Sequence, residues 1–147
     1  MSTSVARLPS GVLFDLDGTL IDSYRLYLEA YRRALAPFLG YAPSYNEIGS
    51  RVPLAERRFL AEWVGAERAA ACHAAMVQHY RELHATHFEG AYEGVREMLA
   101  GLRSAGLALG IVTGKGKLAW EVTETALGLG PFAVVVTEED VANPKPD

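Results

Sequence analysis

A single cysteine, Cys72, stands among the 147 residues, so no internal disulfide is possible. That scarcity points to a reducing compartment, and the cytosol (a cytoplasmic protein) is the expected location. The net charge is −4 and no run of Lys or Arg occurs. Neither nucleic acid nor an anionic membrane is therefore expected as the main partner. No uninterrupted apolar stretch is long enough to span a bilayer. Residues 1–9 lack the apolar segment of a signal peptide. Internal repeats and low-complexity tracts are missing as well. What remains is a chain with 50% apolar residues. That suits one core, or a core with a small appended module.

Against this plain background one string stands out: Phe14-Asp15-Leu16-Asp17-Gly18-Thr19-Leu20-Ile21-Asp22-Ser23. It follows the apolar run Gly11-Val12-Leu13-Phe14, which reads as a short buried strand ended by a glycine-containing turn. Residues two apart along a strand point to the same side, so Asp15 and Asp17 are expected to face one cleft. The C-terminal end of strands in an open α/β sheet is where ligands bind. One carboxylate there can attack phosphorus, and the other can move the proton.

The rest of the chain changes period after Ser23. Tyr24 to Leu39 reads as a helix limited by Pro37, and Asn46 suits the cap of a short turn. Pro53 suits the first residue of a helix running to about Val64. Ala66 to His87 continues as a long alanine-rich helix. No convincing strand is evident between about Asp22 and Glu89. From Gly90 an α/β rhythm resumes. Helix is expected over Tyr92–Ser104, with Val95, Met98, Leu99 and Leu102 on one apolar face and Gly106 just past its end. A strand over Leu107–Val112, a helix from Lys115 or Gly116 to Leu127, and a strand over Phe132–Val136 follow. Alternating strand and helix imply a parallel sheet with right-handed crossovers.

The Asp15–Ser23 string resembles the first signature of the haloacid dehalogenase-like hydrolase superfamily. Thr113, ending Ile111-Val112-Thr113, resembles the second. Lys145, in Asn143-Pro144-Lys145-Pro146-Asp147, resembles the third. The stretch from Gly94 to Lys115 is most similar to phosphoglycolate phosphatase-type members, with β-phosphoglucomutase also similar. The resemblance implies an α/β fold: a Rossmann-like parallel core over 1–21 and 90–147, with an all-helical cap insertion over 22–89. It implies a Mg²⁺-dependent phosphomonoester hydrolase acting on a small phosphorylated metabolite through an aspartyl-phosphate. Asp15 would be nucleophile and Asp17 general acid and base, with Mg²⁺ held by the Asp15 carboxylate and the Asp17 main-chain carbonyl. Thr113 and the next backbone N–H would hold a phosphoryl oxygen, aided by the following helix N-terminus. Lys145 would hold the negative charge of nucleophile and phosphate together. Gly18, Thr19 and Gly114 (often Asn in relatives) would lie against the substrate, and Arg51 of the insertion could read a carboxylate or phosphate on it. A mutase-like phosphotransferase is the neighbouring alternative. Asp17 makes dehalogenation improbable, since true dehalogenases usually lack that acid.

The fourth signature, an acid or Gly-Asp that completes the metal site, is not met before Asp147. The 147 residues are accordingly expected to be the N-terminal part of a phosphatase-like chain, with little activity alone. A non-catalytic module is the corresponding alternative. Another competitor is Val112-Thr113-Gly114-Lys115-Gly116-Lys117-Leu118-Ala119, which fits G-x-G-x-x-G/A, with Glu138 and Glu139 about where a dinucleotide fold wants its ribose acid. That reading leaves the Asp15–Ser23 string unexplained. His73, His79, His84 and His87 cluster with Cys72 on one helix, but match no closed ligand set and read as ordinary packing or polar-face histidines.

Overall fold

Branched and small residues open the computed structural model, which describes residues 9–51 and 54–146. Strand β1 (Gly11–Phe14) lies parallel to β4 (Ala108–Val112), with Gly11 opposite Ala108 and Phe14 opposite Ile111. Strand β5 (Val134–Val136) adds in parallel on the far side of β4, giving the order β1-β4-β5. One face of this sheet carries Val12, Phe14, Leu109, Ile111 and Val135 into an apolar cluster with Leu16, Leu20, Val95 and Leu99. On the other face Leu13 and Val134 lean over Gly110: a Cβ there would lie 2.6 Å from Leu13 Cδ2 and 2.7 Å from Val134 Cγ1. Leu13 is 64% exposed, and among the described residues β1 pairs with β4 alone.

Between β1 and β4 come two very short strands, β2 (Ile21–Asp22) and β3 (Gly90–Ala91), paired antiparallel. They clamp together the two ends of a helical block: α1 (Tyr24–Leu39), α2 (Tyr45–Gly49), α3 (Glu56–Val64) and α4 (Ala66–His87). This block has its own apolar cluster, including Leu26, Leu35, Leu60, Cys72, Met76 and Tyr80. Helix α5 (Val95–Ser104) precedes β4, and α6 (Lys117–Leu127) connects it to β5. Ala119 and Val122 of α6 join the helical cluster, whereas Trp120 and Leu127 join the sheet cluster. One amphipathic helix thus ties the two cores together. A 3₁₀ turn, Glu138–Asp140, follows β5.

Helix α1 has the expected bounds, and several other boundaries differ from expectation for local reasons. Helix α1 runs through Pro37 and stops at Gly40, whose left-handed φ of 77° and N–H bond to the Ala36 carbonyl close it. Proline forfeits one hydrogen bond to the preceding turn, but it does not bar the next few residues. Ser44, not Asn46, caps α2, through a reciprocal capping box with Glu47. Pro53 lies outside the described residues, and α3 is helical from Glu56. Helix α5 starts at Val95, three residues late, because Gly94 sits at φ 79°. The β2–β3 ribbon was not foreseen: two residues per strand leave no periodicity to read.

Candidate active site

The chain leaves β1 at Phe14 and immediately turns back on itself. The Leu16 carbonyl accepts from the N–H groups of Thr19, Leu20 and Ile21, at 3.2, 2.8 and 3.2 Å. Gly18 takes φ 76°, a conformation that a side chain would strain. Leu16 is buried in the sheet cluster, while Asp15 is exposed and Asp17 half-exposed on either side of it. Gly18 and Thr19 are exposed at the turn itself.

Each aspartate meets a lysine from a different loop. Lys145 Nζ lies 2.9 Å from Asp15 Oδ1 and also donates to the Val112 carbonyl at 2.7 Å. Lys115 Nζ lies 3.1 Å from Asp17 Oδ1 and donates to the hydroxyls of Tyr27 (2.7 Å) and Tyr80 (2.9 Å). The Lys115 ammonium thus makes two hydrogen bonds and one ion pair, inside a cage whose ring centroids stand 4.3 and 4.5 Å away. Burial alone would pull this ammonium down, but Asp17, with Tyr80 and Glu56, raises it above the ordinary lysine range. Ser23 Oγ donates to Asp17 Oδ1 at 2.5 Å. Thr113 is buried, and its Oγ1 accepts from the Lys115 N–H at 3.1 Å, so Lys115 also joins Thr113 to Asp17. The second oxygen of each aspartate carries no hydrogen bond among the described residues.

Behind Lys115 the polar network continues. The Tyr27 hydroxyl donates to Glu56 Oε1, and Glu56 Oε2 meets His73 Nε2 at 2.9 Å. Burial works against the Glu56 carboxylate, but His73, Lys115 and Tyr27 hold it below the usual glutamate range. Tyr27 is pushed up, first by burial and then by Glu56 and Asp17. Glu138 is also buried and is pushed up to about 7, mainly by burial. The first residues of α3 dock this network on the sheet loops: Ala55 N–H to the Lys145 carbonyl (3.4 Å), Glu56 N–H to the Gly114 carbonyl (3.3 Å) and Arg57 N–H to Glu138 Oε2 (3.1 Å).

A cavity of about 370 Å³ opens beside the network. Asp17, Gly114, Lys115 and Arg51 line it, along with Tyr24, Tyr27, Tyr31 and Leu28. Asp15, Thr113 and Lys145 are not among its lining residues, so the cavity meets the acid pair only through Asp17. The strand alternation that would aim both acids alike ends at Phe14, before either of them. Arg51 is exposed, with its guanidinium 4.0 Å over the Trp63 ring. Gly114 packs beside the start of α3, where a Cβ would make ordinary contact, 3.5 Å from Ala55 Cα.

One N–H at the N-terminus of α6 already has an anionic partner from within the chain. Glu139 Oε2 accepts from the Lys117 N–H at 2.9 Å. A dinucleotide site loses support as well, because Glu138 is buried and Glu139, though exposed, is bound to the Lys117 N–H. The four histidines point apart: His73 to Glu56, His79 to Glu82, His87 to Thr86, and His84 between Tyr80 and Phe88. Lys115, Tyr27, Tyr80 and Glu56 were the parts sequence reasoning missed. The one available signal was Tyr27 four residues beyond Ser23, on the same face of α1.

Strand order, turn and paired lysines define a parallel α/β core with a helical insertion and two acids at the end of its first strand. Residues 12–147 match the haloacid dehalogenase-like hydrolase family, and the chain belongs to it. It is 36% identical over 155 residues to pyrophosphatase PpaX of Bacillus velezensis, covering 94% of this chain and 63% of that protein. It is 33% identical over 148 residues to phosphoglycolate phosphatase of Yersinia pseudotuberculosis, covering 92% and 62%. A hydrolase from Pseudomonas syringae superposes with a TM-score of 0.78 at 25% identity, covering 94% of this chain and 65% of that one. The chain thus spans about 62–63% of the length of these curated relatives.

Proposed function

We propose that this chain carries the nucleophile, the general acid and the cap of a phosphatase that hydrolyses a small phosphorylated metabolite. The observation that carries the reading is Asp15, exposed just beyond β1 with the Lys145 ammonium 2.9 Å from its carboxylate. Asp15 attacks phosphorus and forms an aspartyl-phosphate. Asp17 gives its proton to the leaving alcohol, then takes one from the water that cleaves the acyl phosphate. Lys145 holds the charge on nucleophile and phosphate, and Thr113 offers its hydroxyl to a phosphoryl oxygen. Lys115 and Ser23 hold Asp17 in one orientation. The block over 22–89 acts as the cap, with Arg51 and the tyrosines of the cavity selecting the leaving group. Its mostly aromatic and aliphatic lining favours an organic ester over inorganic pyrophosphate.

The residues present fit a hard divalent cation: the Asp15 carboxylate is exposed and keeps one oxygen free of hydrogen bonds among the described residues, and the Asp17 main-chain carbonyl accepts no backbone hydrogen bond among them. Asp15 and Asp17 would hold Mg²⁺, which when bound offsets the repulsion between an anionic nucleophile and an anionic ester. The net charge of −4 and the absence of a basic run support a small-molecule partner, not nucleic acid or membrane. A buried free thiol, Cys72, supports a cytoplasmic setting. No described helix is long and apolar enough to cross a membrane.

The test is a thermal-shift titration with Mg²⁺ and BeF₃⁻, a mimic of the phosphorylated aspartate. The chain should be stabilised by the two together, and Asp15→Asn should lose that response. It should also lose any turnover of p-nitrophenyl phosphate. A BeF₃⁻ response that survives Asp15→Asn would remove the nucleophile assignment.

A further inference from the structure

We propose that Glu56, His73 and Glu138 form a second metal site, for a divalent transition ion of the Zn²⁺ class, between the helical block and the sheet. One ligand atom from each residue lies within 4.8 Å of the other two, and all three side chains are buried. His73 Nε2 stands 2.9 Å from Glu56 Oε2 and 3.9 Å from Glu138 Oε1. Ligand atoms bound at about 2.0–2.2 Å in a tetrahedral site lie roughly 3–3.6 Å apart, so small shifts would close these three around an ion.

Three further observations point the same way. Glu138 Oε1 is fully buried and has no hydrogen-bond partner, although its carboxylate is turned into the cluster. Such an atom is costly unless something occupies its lone pairs. Next, each carboxylate is held from behind by its other oxygen. The Tyr27 hydroxyl binds Glu56 Oε1, and the Arg57 N–H binds Glu138 Oε2. That leaves one oxygen of each facing His73, as outer partners do for metal ligands. Finally, Gly116 sits beside the cluster with φ −69° and ψ 151°, a conformation open to any residue. Glycine is therefore not needed there for its backbone. A Cβ at 116 would lie 2.6 Å from Glu56 Oε2, 3.2 Å from His73 Nε2 and 3.4 Å from Glu139 Oε1. The missing side chain keeps room where the ligands converge.

Charge agrees. Glu56, Glu138 and Glu139 gather here against Lys115 and Arg57. Lys115 is committed to Asp17 and two tyrosines. Arg57 approaches Glu138 Oε1 at 3.5 Å and Glu139 Oε1 at 3.6 Å from a side chain that is 58% exposed. It can withdraw to solvent when an ion enters. Two carboxylates and one imidazole suit Zn²⁺, with a fourth position for water or Glu139. Because the ligands come from α3, α4 and the turn after β5, the ion would pin the helical block onto the sheet.

The test is Co²⁺ and Zn²⁺ titration of the 147-residue chain after chelator treatment. One equivalent of Co²⁺ should bind with the intense visible absorption of a low-symmetry site, be displaced by Zn²⁺, and raise the melting temperature. His73→Gln and Glu138→Gln should each weaken uptake by at least about 100-fold. Asp15→Asn should leave it unchanged, which separates this site from the acid pair of the proposed reaction. Circular dichroism checks folding; should His73→Gln not fold, the near-isosteric Glu138→Gln decides. Failure of the folded wild-type chain to take up Co²⁺, uptake indifferent to both substitutions, or uptake lost in Asp15→Asn would each overturn the proposal.

Discussion

The two neighbouring aspartates each pair with a lysine, and the two pairs are opposites. Lys145 and Asp15 are both more than 40% exposed at the side chain and share one contact. In the second pair the Lys115 side chain is fully buried, and it binds two tyrosines in addition to Asp17. The first pair sits where water can reorganise, so its Coulomb energy is small and its value lies in being free to meet another charge. In the second the lysine sits in a low-dielectric cage, where loss of Asp17 would strand a buried cation. The contrast separates a group placed for encounter from a group placed to hold still.

The largest expected effect breaks the buried pair. Lys115→Met keeps the volume but removes the cation from Asp17, Tyr27 and Tyr80. Loss of about 3 kcal/mol or more in urea unfolding is expected, in line with other buried pairs that lose one partner. Its contacts reach α1, α4 and the loop of Asp17, so a weakened grip between helical block and sheet should accompany the loss. Unchanged stability would mean that the cage can hold an apolar chain equally well, and the contrast between the pairs would fall.

The exposed pair was legible in the sequence and the buried one was not. Asp15, Asp17 and Thr113 follow directly on strands and Lys145 lies in a proline-flanked loop further on, so their places follow from local pattern. Lys115 also follows a strand, but nothing local says that it turns inward. Its burial depends on Tyr27 and Tyr80, which are 53 positions apart in sequence, on two helices of a separate core. Helix lengths were readable for the same local reason, and α1 and α4 have the expected bounds. Long-range polar partners and a two-residue ribbon leave no periodic trace. Glu139 at the N-terminus of α6 is such a case: it takes the Lys117 N–H through a contact 22 residues away.

A smaller effect sharpens the buried side of the comparison through pH. His84 stacks between Tyr80 and Phe88, with Nε2 lacking a hydrogen-bond partner. Burial, and next the charge of Lys115, holds its imidazole below the ordinary value of 6.5. In the unfolded chain His84 takes up a proton near that ordinary value, whereas in the folded chain it does so only at lower pH. Its contribution is therefore present above 6.5 and is lost as pH falls through the depressed folded value. His84→Leu should flatten this part of the stability profile in urea titrations between neutral and mildly acid pH. A slope unchanged by the substitution would place the acid sensitivity elsewhere.

The smallest effect on stability, and the sharpest contrast, belongs to Lys145→Ala. Its ammonium holds Asp15 and the Val112 carbonyl from a half-exposed position. Removing it should cost within about 1 kcal/mol, the usual range for exposed ion pairs. The BeF₃⁻ response should nonetheless weaken by about tenfold or more, because one charge-assisted contact to a bound anion is worth roughly 1.5–3 kcal/mol. Lys115→Met should lower both quantities, whereas Lys145→Ala should separate them. Adding salt should erase what little stability Lys145 provides, since exposed charges are screened, and should barely touch that of Lys115. If Lys145→Ala unfolds the chain as readily as Lys115→Met does, then the exposed pair is structural after all, and Asp15 is held in place when it should be free to react.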